Sequence, residues 1–312
     1  MELERFRGPL LHEEALALNC GRCGLAYLLE ARSIRTISVP DYICGSVLMP
    51  CEAAGVSVER YQVGPDFQPV WETVRAHEGY LYLVDYFGQL DPAAVERGRS
   101  LFEGRIIIDE SQNYFASALP GVDTLYTARK FFGVSDGAFL STDVRLSRAL
   151  ERDESRLHMD YLLGRLERSA EEFFKESQEN NERFAHEPVK LMSATTENLL
   201  RGIDYAEVAR IRQANYRRLA EALDEHNGLS AKSDAVPFAY PFLVEDGPTM
   251  RKRLAAHGIY VATLWPDVLR DDAAGQVAQR YARDILPLPV DQRYGRGQMD
   301  EIIETLKREG AF

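Results

Sequence analysis

Apolar segments of strand length alternate with segments of helical period through the first half of the chain. Thr36–Val39, Val56–Tyr61, Tyr80–Val84, Arg105–Asp109, Thr124–Thr127 and Gly137–Ser141 are rich in Val, Ile, Tyr and Phe and are flanked by Gly, Pro or Asp, which predicts strands. Between several of them lie stretches with an apolar stripe at helical spacing, Cys23–Ala31 and Ser46–Ala54 among them. Ile106-Ile107-Ile108 has no polar alternation, as expected of a strand covered on both faces. Strands and helices taking turns in this way predict an α/β fold: a mainly parallel sheet with helices packed on it.

The texture changes after residue 143. Asp143 to Tyr216 is charge-rich and helical in period. Ile203 to His226 reads as one long amphipathic helix closed by Asn227-Gly228. A smaller α/β unit follows: a strand at Phe238–Val244, a helix at Thr249–His257 stopped by Gly258, a strand at Ile259–Ala262 and a last helix at Gln298–Arg308. The expected boundary is near residue 210, giving a large domain over 1–210 and a small C-terminal domain over 211–312. A length of 312 residues agrees with two domains at roughly 150 residues each. No internal repeat is visible.

Charge and cysteine content narrow the function classes. Asp and Glu outnumber Lys and Arg by 49 to 37, a net charge of −12, which disfavours nucleic acid and anionic membrane as partners. Apolar runs fall short of the ~20 residues of a membrane helix, and no basic segment followed by an apolar stretch opens the chain. The four cysteines, at 20, 23, 44 and 51, are too few for a secreted disulfide framework, so a reducing, cytoplasmic compartment is expected. Cys20-x-x-Cys23 lacks the second pair that a zinc site needs and the βαβ context of a thioredoxin-like pair; buried, inert thiols are the expectation. The six histidines show no metal-ligand spacing, and no metal is expected.

Three features of the first unit carry candidate chemistry. Asp109 ends one strand, Lys130 follows another and precedes Phe131-Phe132-Gly133, and Gly21-Arg22-Cys23 opens an apolar helix. Ligands of open α/β sheets bind beyond the carboxyl ends of the strands, which places Asp109 and Lys130 at one crevice. Free N–H groups and the dipole at a helix start favour a phosphate over Gly21–Cys23. A carboxylate, a lysine amine and a phosphate cradle together point to pyridoxal 5′-phosphate (PLP). The carboxylate would keep the pyridine nitrogen protonated, the amine would form a Schiff base and shuttle a proton, and Thr127 would add a hydroxyl to the cradle. Taken singly, each feature has a plainer explanation, as a helix cap, a solvated charge or a helix start. Their order along the chain is what carries the reading.

That order resembles the DegT/DnrJ/StrS sugar aminotransferases, which are PLP-dependent enzymes of fold type I with an aspartate aminotransferase-like architecture. Asn19-Cys20-Gly21-Arg22-Cys23 resembles the family's Gly-Thr phosphate turn, and Pro40-Asp41-Tyr42-Ile43-Cys44 its Pro-x-x-Thr-Phe segment. Asp85-Tyr86-Phe87-Gly88-Gln89 resembles its apolar-His-x-x-Gly-Gln strand end, and Asp109-Glu110-Ser111-Gln112 its Asp-x-x-Gln/His. Tyr126 to Gly133, with Asp136-Gly137-Ala138 after it, resembles the lysine motif, and Ile285-Leu286-Pro287-Leu288-Pro289 the C-terminal Leu-Pro segment. The resemblance implies a large PLP-binding domain, a small C-terminal α/β domain, a homodimer, and amino transfer from a donor such as glutamate to a keto compound, possible acceptors including a nucleotide-linked keto sugar. It implies that Lys130 carries the cofactor, that Asp109 pairs with the pyridine nitrogen, that Gln112 lies against the ring hydroxyl, and that Gly21, Arg22, Cys23 and Thr127 hold the phosphate. The family's stacking aromatic falls on Cys44, which leaves Tyr42 as the substitute. Tyr86 and Arg293 are the implied substrate contacts.

The chain also departs from the family. The Gly-Tyr-Asn-x-Arg motif that reaches a neighbouring subunit's cofactor in relatives is absent, and Lys190-Leu191-Met192-Ser193 stands in its place. Two alternatives follow: a PLP-dependent lyase or dehydratase, and a non-catalytic relative that binds a ligand or regulates. Relatives that are dehydratases replace the lysine by histidine, so Lys130 favours amino transfer.

Overall fold

The computed structural model describes residues 3–230 and 234–312. The predicted alternation is realised as one seven-stranded sheet. Its strands are β1 (Leu16–Leu18), β2 (Thr36–Pro40), β3 (Ser57–Tyr61), β4 (Tyr80–Val84), β5 (Ile106–Asp109), β6 (Asp123–Thr127) and β7 (Ala138–Ser141), in the order β1-β7-β6-β5-β4-β2-β3. Strands β2 to β6 run parallel; β7 is antiparallel to β6 and β1 antiparallel to β7. Helices α1 (Gly21–Ala31) and α2 (Gly45–Ala53) cover one face, and α3 (Pro92–Leu101) covers the other. The triple isoleucine of β5 divides accordingly. Ile107 packs under α1 and α2, whereas Ile106 and Ile108 pack under α3. Burial on both faces is why this strand shows no polar alternation.

The charge-rich stretch folds as α4 (Asp160–Glu167), α5 (Phe174–Arg183) and α6 (Ala194–Arg201), then α7 (Tyr205–Leu223). Residues 143–155 form no helix, contrary to the helical reading of that stretch. Helix α7 runs through residue 210 without a break, so the chain passes into its C-terminal part inside a helix. There α8 (Gly247–Ala256), α9 (Gln276–Asp284) and α10 (Arg296–Arg308) accompany the antiparallel pair β8 (Ala239–Leu243) and β9 (Ile285–Pro289). Tyr216, Leu219 and Leu223 of α7 join α8 and α10 in a core on that pair. Helix α9 turns the other way: Ala278, Tyr281 and Ala282 enter the core under α1 and α2.

The strand expected at Ile259–Ala262 is not formed. Its β-branched residues satisfy strand propensity, but the edge beside β8 is taken by Ile285–Pro289, which buries more apolar surface. Ile259 instead closes the C-terminus of α8, its N–H donating to the Leu254 carbonyl across Gly258 at φ +75°.

The loop after Lys130 is pinned from beneath. Asp136 is fully buried; its Oδ2 accepts from the Ser193 N–H at 2.7 Å, and its Oδ1 accepts from the hydroxyls of Ser193 (2.8 Å) and Thr196. Ser193 in turn caps α6. The Lys190–Ser193 segment thus serves the lysine loop of its own chain. Gly137 follows at φ +116°, where a Cβ would lie 2.9 Å from Thr196 Cγ2, so glycine is required. Asp136→Ala leaves the Ser193 N–H and the Thr196 hydroxyl without their acceptor, while the Ser193 hydroxyl keeps Ser155, and should lower the unfolding free energy by about 2–3 kcal/mol, read from urea unfolding.

His12 gives the fold a dependence on pH. Its ring stacks on Tyr126 at 3.8 Å, and Nε2 bonds to the Tyr114 carbonyl at 2.7 Å. Burial outweighs that bond and pushes the imidazole from 6.5 down to about 4. The unfolded chain binds a proton near pH 6.5 and the native protein only near 4, so this stability is complete above 6.5 and is lost as pH falls towards 4. The loss expected is about 3 kcal/mol. His12→Phe should lose measurably less stability than the parent between pH 7 and pH 4.5, with denaturation midpoints as the readout.

Candidate active site

A cavity of about 350 Å³ opens at the carboxyl ends of the central strands. Val84 of β4, Asp109 of β5 and Thr127 of β6 line it, and α1 and α2 present their first turns to it through Gly21, Arg22, Cys44, Ser46 and Val47. Parallel strands aim their carboxyl ends, and the helices that follow aim their N-termini, at one edge of the sheet, which gathers these groups from distant parts of the sequence.

Asp109 and Lys130 stand in this cavity with Ser111 between them. The Tyr82 hydroxyl donates to Asp109 Oδ2 at 2.9 Å, and the Ser111 N–H donates to Oδ1 at 2.8 Å. Lys130 Nζ donates to Ser111 Oγ at 2.9 Å and lies 5.7 Å from the ring centre of Phe238. Lys130 is the one lysine among the residues lining the cavity. A one-turn 3₁₀ helix at Ala128–Lys130 turns the chain off β6 and presents the side chain. The loop beyond is braced from the C-terminal part. Arg212, fully buried, stacks on Phe131 and donates to Gln292, and Gln292 Nε2 donates to the Phe131 carbonyl at 2.7 Å.

The cavity also gathers positive charge from Arg22 and Arg129. Gly21 and Arg22 are the first two residues of α1, so their N–H groups have no acceptor within the helix. A Cβ placed on Gly21 would meet nothing within 4 Å. Arg22 Nη1 and Arg129 Nε are buried and have no hydrogen-bond partner among the described residues. Burial pulls the Arg129 guanidinium below its ordinary value, and Phe184 packs on it at 4.6 Å. Buried guanidinium groups with orphan donors over an open helix start are the donor set of an anion site.

Some expected residues lie elsewhere. The Tyr42 ring is fully buried among Tyr86, Tyr281 and Trp265, outside the lining, so it does not face a ligand in the cavity. Tyr86 is buried beside it, its hydroxyl donating to the Tyr42 carbonyl. Gln112 is buried beneath the site, where its Oε1 accepts from the Phe87 N–H at 3.0 Å. The Cys23 N–H turns to Cys20 Sγ, and Cys23 does not line the cavity. Arg293 faces out, paired with Asp291 at 2.7 Å and mostly exposed. Gly21, Arg22, Asp109, Thr127 and Lys130 all line the cavity. The sequence reading missed Tyr82, Ser111, Arg129, Asn181 and Phe184, also in its wall, and Trp265 lines the cavity too. Arg129 carried a signal, since it adjoins Lys130; Asn181 and Phe184 come from a stretch with no motif.

The fold is that of the PLP-dependent aminotransferases of fold type I. Solved structures of this kind match nearly the whole chain. DesV of S. venezuelae matches 98% of this chain and 90% of its own at 16% identity, with a TM-score of 0.69. A sugar aminotransferase of Streptococcus pneumoniae in its PLP form matches 97% and 92% at 14% identity, with a TM-score of 0.67. An E. coli GDP-4-keto-6-deoxy-D-mannose-3-dehydratase with bound hydrated PLP matches 94% and 87% at 14% identity, with a TM-score of 0.64. No family model matches the sequence, and no curated protein matches it. Among the described residues no helix is long and apolar enough to cross a membrane.

Proposed function

We propose that the protein is a PLP-dependent aminotransferase that moves an amino group from an amino-acid donor, such as glutamate, to a keto acceptor. The observation that carries this reading is Lys130 and Asp109 lining one cavity with Arg22 and Arg129, each of which has one buried N–H group without a partner. The residues present fit the cofactor. Asp109 would face the pyridine nitrogen, Lys130 Nζ would bond the aldehyde carbon, and Gly21, Arg22, Thr127 and Arg129 would hold the phosphate. Bound there, PLP supplies the electron sink that makes a substrate Cα–H acidic. Lys130 Nζ is the base that takes that proton and returns it, and Ser111 Oγ orients the amine. Leu25, Ile43, Val47 and Val84 give the cavity an apolar wall that limits water.

The fold is shared with sugar aminotransferases, which supports a keto sugar as the acceptor. It is shared with a dehydratase as well. The presence of a lysine at position 130 favours amino transfer over elimination. A homodimer in the cytoplasm, with a domain boundary near residue 210, completes the reading.

The test is a spectral titration of the purified protein with PLP. Expected is an absorbance band near ~410–430 nm that glutamate converts to the amine form of the cofactor and borohydride fixes to the protein. A band with no response to any amino donor, or release of ammonia from a single substrate, would count against amino transfer.

A further inference from the structure

One pair of side chains at the cavity wall has no role in this chemistry. Cys20 caps α1, and Cys23 sits one turn on, so both thiols share a face of the helix. Their Sγ atoms are 3.2 Å apart and both cysteines are free. A disulfide is about 2.05 Å long, so closure needs only about 1 Å of approach. We propose that Cys20 and Cys23 form a redox-active dithiol, which closes to a disulfide when a low-molecular-weight disulfide reaches Cys20 through the cavity.

The two thiols have different surroundings. Cys20 lines the cavity, and its Sγ accepts from the Cys23 N–H at 3.4 Å. Its thiol is held below the ordinary value chiefly by the hydrogen bond it shares with Cys23, with the charges of Arg129 and Arg22 adding to it. Cys23 lies behind Cys20, with the carbonyls of Pro188 at 3.6 Å and Glu187 at 3.8 Å as acceptors for its S–H. Its thiol is pushed up, chiefly by the same bond to Cys20 and then by burial. Cys20 is thus the attacking thiolate and Cys23 the resolving thiol.

The step balances. Cys20 Sγ attacks one sulfur of the incoming disulfide, the S–S bond breaks, and one thiolate leaves and takes up a proton. Cys23 then gives up its proton, its sulfur attacks Cys20 Sγ, and the second thiol departs. Two protein thiols become one disulfide, and the reagent is reduced to two thiols.

The reaction needs no bound cofactor, so its outcome is independent of the amino-transfer reading. Native protein is treated with oxidised glutathione, alkylated and digested with trypsin without reductant. Cleavage after Arg22 parts Cys20 from Cys23, so peptides 8–22 and 23–32 remain joined only by a disulfide. Expected is the joined pair from native protein, dissolved by dithiothreitol. In Cys23→Ser, glutathione should remain on Cys20 at least tenfold more than on Cys44. Either of two results overturns the proposal: no joined peptide from native protein under conditions where the unfolded chain yields it, or glutathione in Cys23→Ser bound to Cys44 instead of Cys20.

Discussion

Lys130→Ala should leave the protein unable to retain PLP after borohydride reduction and should slow amino transfer from glutamate by about 10⁴-fold. The amine is asked for two things at once. On the proposed reading it would hold the cofactor covalently and would carry the proton at the substrate Cα. No other lysine stands among the described residues of the cavity wall to take over either task. Lys130 is exposed to the cavity and makes one hydrogen bond, to Ser111 Oγ, so its removal should not move the unfolding midpoint. The cradle of Gly21, Arg22, Thr127 and Arg129 stays intact, and PLP should still bind reversibly. Mass analysis of the reduced, digested protein gives the first readout, and single-turnover absorbance gives the second. A small amine such as methylamine should restore part of the proton-transfer rate, since the space left by the side chain can admit it. Reduced cofactor still attached to the Lys130→Ala chain would place the linkage on another residue.

The parts of this site that could be read in the sequence are those set by local rules. Asp109 and Thr127 were legible because a strand end in a parallel sheet is recognisable from its apolar run, and strand ends collect at one edge. Gly21 and Arg22 were legible because a glycine opening an apolar helix marks a helix start. What could not be read depends on packing between distant segments. Tyr42 and Cys44 are two residues apart, yet Tyr42 points into the core with Trp265 and Tyr281 while Cys44 caps α2 at the cavity. Only the approach of the α9 region decides that, and α9 left no signal that separated it from a surface helix. Asn181 of α5 and Phe184 just after it enter the wall from a charge-rich stretch that carries no motif. The partner strand of β8 was misplaced for a related reason. Ile259–Ala262 has better strand propensity than the proline-containing Ile285–Pro289, but burial chose the latter.

Asp109→Asn tests the other half of the chemistry and should slow proton removal from the donor Cα by about a thousandfold. Both carboxylate oxygens are already oriented, Oδ2 by the Tyr82 hydroxyl and Oδ1 by the Ser111 N–H. Each oxygen retains a lone pair for a further donor, which is what a protonated ring nitrogen requires. An amide in the same place has one oxygen and one N–H₂. It can meet an unprotonated ring nitrogen with a donor, and it brings no negative charge to hold a proton there. The electron sink is then weakened while the shape of the cavity is kept. The residues proposed to hold the phosphate are untouched, so cofactor affinity should fall by about ten- to a hundredfold, as for one lost charged hydrogen bond. Exchange of the donor Cα proton with heavy water isolates the step. Tyr82→Phe supplies the control: it removes one orienting hydrogen bond and keeps the charge, and its expected cost is nearer tenfold. Equal losses in Asp109→Asn and Tyr82→Phe would mean that Asp109 acts through placement alone. A hundredfold gap between them would mean that its charge, facing the ring nitrogen, is the working element.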